Sequence, residues 1–175
     1  RRQLQICATC WIYSARRRER NSNIIWVMKV ELATSIKYGN YKYCRANAEN
    51  ITHMVHKYWH SLTSKIDCPV DLTVHIRPIK GGTIGRACYT KHRIEIDPRR
   101  TNMREIFETL AHEMCHFEQR KQGRLAWNKE HGQRVWNGAM YRRTSTHRQY
   151  LNLPWEIEAR EYGARFVREI YDAAQ

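Results

Sequence analysis

The chain has 175 residues and a hydrophobic fraction of 42%, enough for one domain with its own core and too apolar for a disordered chain. Lys and Arg number 31 against 17 Asp and Glu, a formal net charge of +14, and no apolar run approaches the roughly 20 residues that a membrane span requires. Such a charge favours phosphate-rich polymers or acidic proteins as partners, or simply a well-solvated surface, and no recognised nucleic-acid-binding motif accompanies it.

Residues 1–23 carry six arginines against one glutamate and show no sustained periodicity. They read as a basic arm or the edge of a fragment, poorly ordered, with Met28 opening a more ordinary stretch; residues 24–175 read as a single domain. Residues before Met28 could be translated sequence upstream of the true start, or an arm that touches nucleic acid. The arginines at 16, 17, 18 and 20 do not suit a secretory signal, so an intracellular, cytoplasmic location is expected. Six cysteines lie at 7, 10, 44, 68, 88 and 115. Only Cys7 and Cys10 have ligand-like spacing, and a lone pair of this kind is a weak zinc signal, so free thiols in a reducing compartment are expected.

Ile24, Trp26, Met28, Val30 and Leu32 alternate with their neighbours, which predicts a strand, and Tyr38, Gly39, Asn40 and Tyr41 mark a turn. Ile51, Met54, Val55, Tyr58, Trp59 and Leu62 form one face of an amphipathic helix, with His53, His56 and His60 on or beside its polar face. Leu72, Val74 and Ile76 alternate up to Pro78. Residues 84–89 and 93–97 then predict two short strands around a tight connection at 90–92, so that a small antiparallel meander leads into Pro98. The strand at 85–89 is the candidate edge for pairing with an extended peptide, Gly85 and Ala87 leaving room for a substrate backbone.

A helix follows over Met103–Lys121. Asn102 with Glu105 three residues on starts it as a capping box, and Gly123 closes it. Met103, Ile106, Phe107, Leu110, Ala111, Met114 and Phe117 give a core-facing stripe. On the helix lies His112-Glu113-Met114-Cys115-His116. Two histidines four apart point the same way, about one turn from each other, so both imidazoles reach one ion. Glu113 sits where a carboxylate can take a proton from a metal-bound water, whose pKa zinc lowers to about 7. The competing interpretation is a solvated His/Glu face without metal. Residues 124–152 are hard to place, with 133–141 readable as a short helix. Pro154 suits the first turn of a last helix running through about Asp172.

A catalytic zinc takes a third protein ligand, and His131, Glu156 and Glu158 are the candidates. On the last helix Glu156 shares its face with Ala159, Gly163, Phe166, Val167 and Ile170, whereas Glu158 shares a solvated face with Glu161, Arg165 and Glu169. A carboxylate on a small, apolar stripe is costly to bury unless paired or bound to metal, which favours Glu156. His131, before Gly132 in a turn, could replace it or join it. For an oxyanion donor, Tyr141, His147 and Tyr150 stay open.

The central motif, with Glu156 and Ala159 following Pro154 and Trp155, resembles small phage and bacterial metallopeptidases of the minimal gluzincin kind; Gln119 and residues 122–125 look like them too. The same motif followed by His131 and Gly132 resembles the SprT-like metalloproteases, whose third ligand is that later histidine. No cysteine-rich ribbon follows, and Val135 and Trp136 stand where an aromatic comes after His-Gly in that family. The resemblance covers roughly residues 72–170. It implies an α+β, zincin-like domain: a small antiparallel sheet, a support helix, the motif helix and a C-terminal helix bearing the glutamate. The implied activity is peptide-bond hydrolysis on peptide or protein substrates by one zinc ion held by His112, His116 and Glu156, with Glu113 as general base. The alternatives are an SprT-like protease acting on DNA-bound proteins, and a non-catalytic basic protein whose zinc is structural.

Overall fold

The computed structural model describes residues 29–32, 41–69, 71–100 and 102–175. The stretch 1–23, Cys7, Cys10 and the turn at 38–40 lie outside the described residues, as does the first half of the strand expected from Ile24. Among the described residues the fold is α+β, with four α-helices and two small sheets. Among the described residues no helix is long and apolar enough to cross a membrane.

The first sheet orders its strands β1 (Lys29–Leu32), β2 (Thr73–Ile76), β4 (Arg93–Ile96) and β3 (Gly85–Cys88). It is not the antiparallel meander that alternation suggested. β1, β2 and β4 run parallel, and only β3 is antiparallel, to β4. Alternation identifies which side chains share a face but not which strand lies alongside. Parallel neighbours also need a crossover, and helix α1 (Tyr41–Thr63) supplies the one between β1 and β2. Val74, Ile76, Ile94 and Ile96 are fully buried on the helix-facing side. They pack with Ile51, Val55 and Leu62 of α1 and with Ile106, Phe107, Leu110 and Met114 of α2 (Met103–Lys121) in one core. His53, His56 and His60 are exposed, as expected of a polar helix face.

β3 ends the strand order opposite β1, so the candidate peptide-pairing strand does lie at a sheet margin. Gly85 serves a different purpose from the one expected. A Cβ there would stand 2.6 Å from Thr109 Cγ2 and 3.1 Å from Ile96 Cδ1, so its missing side chain lets β3 close against α2 instead of leaving room for substrate. At the end of β4 the Asp97 carboxylate accepts from the Ile79 and Arg99 amides and from the Arg99 guanidinium, which fixes the chain leading into α2. Asn102 Oδ1 then accepts from the Glu105 amide and caps the helix.

The segment expected to hold a short helix at 133–141 is instead part of a second sheet, β5 (Leu125–Asn128), β6 (Gln133–Trp136) and β7 (Ala139–Tyr141), all antiparallel. The reason is the turn. Asn137 and Gly138 both have positive φ, 47° and 82°, the conformation of a two-residue hairpin that Asn-Gly adopts with little strain. Leu125 and Trp136 of this sheet bury against Trp155, flanked by Tyr141 and Leu153. That contact holds the start of α4 (Pro154–Phe166), with Pro154 in its first turn. The helix expected to run to about Asp172 leaves α geometry at Phe166 and continues as a π-helical turn, Val167–Tyr171.

α4 lies against α2. Ala159 is fully buried, and a Cβ on Gly163 would fall 2.8 Å from the Glu108 carbonyl oxygen. Because backbone cannot yield as a side-chain tip does, Gly163→Ala is expected to push the helices apart and destabilise the fold by about 1–3 kcal/mol. Thermal unfolding of the variant checks this; an unchanged melting temperature would mean that the two helices have slack at that crossing.

Candidate metal centre

Helix geometry delivers the first two groups. His112 and His116 stand one turn apart on α2 and bring their Nε2 atoms to 3.1 Å, with the rings nearly perpendicular. α4 delivers the third. Glu156, in its first turn and almost fully buried, places Oε2 at 3.4 Å from His112 Nε2 and Oε1 at 3.5 Å from His116 Nε2. Among the described residues these three form the group of His, Cys, Asp and Glu side chains that could hold a metal ion.

The spacing can be tested against a metal. Zinc bonds of about 2.0–2.1 Å in a tetrahedron place neighbouring donor atoms about 3.3–3.4 Å apart. The separations of 3.1, 3.4 and 3.5 Å match that spacing, although the carboxylate faces the two rings with different oxygens. Glu156 Oε1 is buried and makes no hydrogen bond of ordinary length, only the longer ion pairs to His116 and Arg134, an arrangement in which a cation can take the place of a histidine proton.

Gln119 fixes the state of His116. Its Nε2 donates to the Trp155 carbonyl at 3.0 Å, and its Oε1 faces His116 Nδ1 at 2.8 Å. Since a carbonyl can only accept, the amide cannot be turned the other way; Oε1 must therefore accept a proton from Nδ1. Nε2 is left for the cluster. Gln119 is fully buried, and its two bonds tie the ring on α2 to the residue preceding Glu156 on α4.

Burial works against ionisation of Glu156, but His112, His116 and the Tyr150 hydroxyl outweigh it and hold the carboxyl far below its ordinary range. Burial also opposes charge on His116. The neighbouring Glu156 and then Glu113 override this and raise the imidazole above its usual value. Glu113 lies between the two histidines in sequence, with its carboxyl outside the three-residue group. Crowding by protein raises it above the ordinary carboxylate value, with Glu156 adding to the shift, while His116, His112 and the Ala87 amide of β3 pull the other way. The helix thus presents two imidazoles and a carboxyl that holds its proton more readily than usual, facing the edge of a sheet.

Glu158 does not join the group. Arg124 grips it with two bonds of 2.6 and 2.8 Å, which explains its place on the more solvated side of α4. His131 is exposed in the turn between β5 and β6, with Glu130 4.0 Å away, and is not part of the cluster among the described residues. Of the oxyanion candidates, Tyr150 neighbours Glu156, and burial together with that anion raises its hydroxyl pKa strongly. Tyr141 packs edge-on against Trp155, and His147 stacks on Tyr150.

Two further groups reach the centre from positions without a motif. Arg134 of β6 has Nη1 at 3.9 Å from Glu156 Oε1. Tyr89, just after β3, packs on Phe117 and beneath Arg120; burial and the nearby Glu113 raise its pKa. The hairpin signal at Asn137 and Gly138 would have placed Arg134 on a strand, though not beside Glu156. Cys68, Cys88 and Cys115 are free thiols, Cys115 buried next to His116. Comparison with protein-family models, with curated protein sequences and with solved structures finds no match to this chain.

Proposed function

We propose that the protein is a zinc-dependent peptidase built on a minimal zincin-like domain, with His112, His116 and Glu156 holding one zinc ion. The observation that carries this reading is the convergence of two imidazole nitrogens and one buried, incompletely bonded carboxylate at tetrahedral spacing, with Glu113 alongside. Zinc bound there supplies a Lewis acid for the scissile carbonyl and lowers the pKa of a coordinated water to about 7.

The chain's own residues account for the rest. Glu113 accepts a proton from the attacking water and passes it to the leaving amine, a task that suits a carboxyl poised nearer to neutrality than an exposed one. The Ala87 amide orients Glu113, and the outer edge of β3 pairs with an extended peptide main chain. The Tyr150 hydroxyl, protonated throughout the working pH range, donates to the developing oxyanion. Substrates are peptides or proteins, and the net charge of +14 favours acidic surroundings, nucleic acid among them.

The test is cleavage of a mixed peptide library by protein loaded with one equivalent of zinc, read by mass spectrometry. Products that vanish on chelation and return with zinc support the reading. Full loading without any product would leave a zinc-binding protein and no peptidase.

Gln119 gives a further expectation. Gln119→Leu removes the acceptor that orients His116, so zinc affinity should fall by about 10–100-fold with the fold intact. Competition with a chromophoric chelator measures this; unchanged affinity would show that the ring needs no such support.

A further inference from the structure

We propose that Arg134 is a specificity residue that recognises a carboxylate on the substrate close to the scissile bond. The proposal rests on the peptidase reading and adds to it a substrate class: peptides bearing a free C-terminal carboxylate or an Asp or Glu side chain at that place.

Arg134 sits on the central strand of the second sheet, paired in register with Trp127 on one side and Tyr141 on the other. Its guanidinium lies 5.5 Å from the Trp155 ring centroid and 5.9 Å from that of Tyr150. Anchored on a strand and in reach of two aromatic rings, the side chain has less freedom to lose on binding than a free arginine.

Among the described residues its donors make no hydrogen bond. Arginines elsewhere in the chain are committed to acids: Arg124 to Glu158, Arg86 to Glu95 and Arg104 to Asp172. Among the described residues Arg134 has one acidic neighbour, Glu156, at 3.9 Å, beyond hydrogen-bond length. Glu156 is also the residue whose charge the metal reading commits elsewhere. The Arg134 side chain remains 41% exposed. A rigid fork of N–H donors, open to solvent and beside the proposed reaction centre, matches a planar carboxylate in shape and charge.

If Arg134 only neutralised Glu156, its loss would change metal affinity and leave substrate choice alone. A recognition residue makes the opposite prediction. The experiment uses zinc-loaded protein carrying Glu113→Gln, so that peptides bind without turnover, and isothermal titration with three peptides of one core sequence. The first is uncharged and amidated, the second has a free C-terminal acid, and the third is amidated with one Glu near its centre.

At least one acid-bearing peptide is expected to bind about tenfold or more tightly than the neutral one, as charge-assisted hydrogen bonds allow. Which of the two does so identifies the source of the carboxylate. Adding Arg134→Gln should erase the preference with zinc still bound, and Arg134→Lys, which keeps the charge but loses the fork, should retain part of it. Equal binding of all three peptides, or a preference that survives Arg134→Gln, overturns the inference and leaves the peptidase reading standing. Binding of none of them contradicts both.

Discussion

Replacing Glu113 by Gln is expected to leave zinc bound at full stoichiometry and to lower peptide hydrolysis by about 10²–10⁴-fold. The two halves of that result come from different geometry. The candidate metal group consists of His112, His116 and Glu156, so removing the charge at 113 takes no donor atom from it. Glutamine keeps the shape and can still receive the Ala87 amide, but it cannot accept a proton and return it. Glu113 also follows His112 directly on α2, whose buried stripe of Ile106, Leu110 and Met114 keeps the backbone in place. Rates with a peptide identified from the library, set beside metal content measured on the same sample, decide the matter. Wild-type rates in Glu113→Gln would remove the general base from the mechanism, and loss of zinc would make Glu113 a ligand.

The second large effect separates the candidates for the third ligand. Glu156→Ala should weaken zinc binding by more than the 10–100-fold expected for a lost supporting bond, whereas His131→Ala should leave it unchanged. Glu156 is buried 3.4–3.5 Å from both imidazole nitrogens, while His131 is exposed in a turn, its ring 4.0 Å from the Glu130 carboxylate. Zinc titration of both variants provides the comparison. Pairing of the Glu156 carboxylate with His112 and His116 also stabilises the metal-free state, so Glu156→Gln serves as a second variant with a smaller change in packing. Release of zinc by His131→Ala would instead favour the arrangement that the SprT-like resemblance implies.

Much of the site's framework can be read from the chain because helices write their environment into a local period. The stripe from Ile106 to Phe117 is buried, and Asn102 caps the helix where its spacing to Glu105 predicts. The same geometry separates Glu156, beside Ala159 and Gly163, from Glu158, which pairs with Arg124. Strand partners carry no such local signature. Val74 and Ile94 alternate in the same way whether their strands run parallel or antiparallel, and it is the path of residues 77–92, through β3, that brings β4 alongside β2 in parallel. The second sheet reads from the chain as a short helix at 133–141, wrongly, because its aromatic residues obscure any period, although Asn137 and Gly138 carry a hairpin signal. The approach of Arg134 to Glu156 depends on how that sheet packs on Trp155, and no spacing along the chain encodes it.

Gly85 and Gln119 show a further gap. A glycine in an edge strand suggests room for a ligand, yet here it admits Thr109 from the neighbouring helix. Gln119, three residues beyond His116, looks like an ordinary polar residue until Trp155 arrives to fix which way its amide faces. Both roles arise from tertiary contacts.

The most direct measurement is anomalous diffraction at the zinc edge from crystals soaked in a stoichiometric amount of the metal. One peak is predicted, within about 2.0–2.2 Å of His112 Nε2, His116 Nε2 and a carboxylate oxygen of Glu156. A peak elsewhere, or none at these three side chains, would contradict the account at its root.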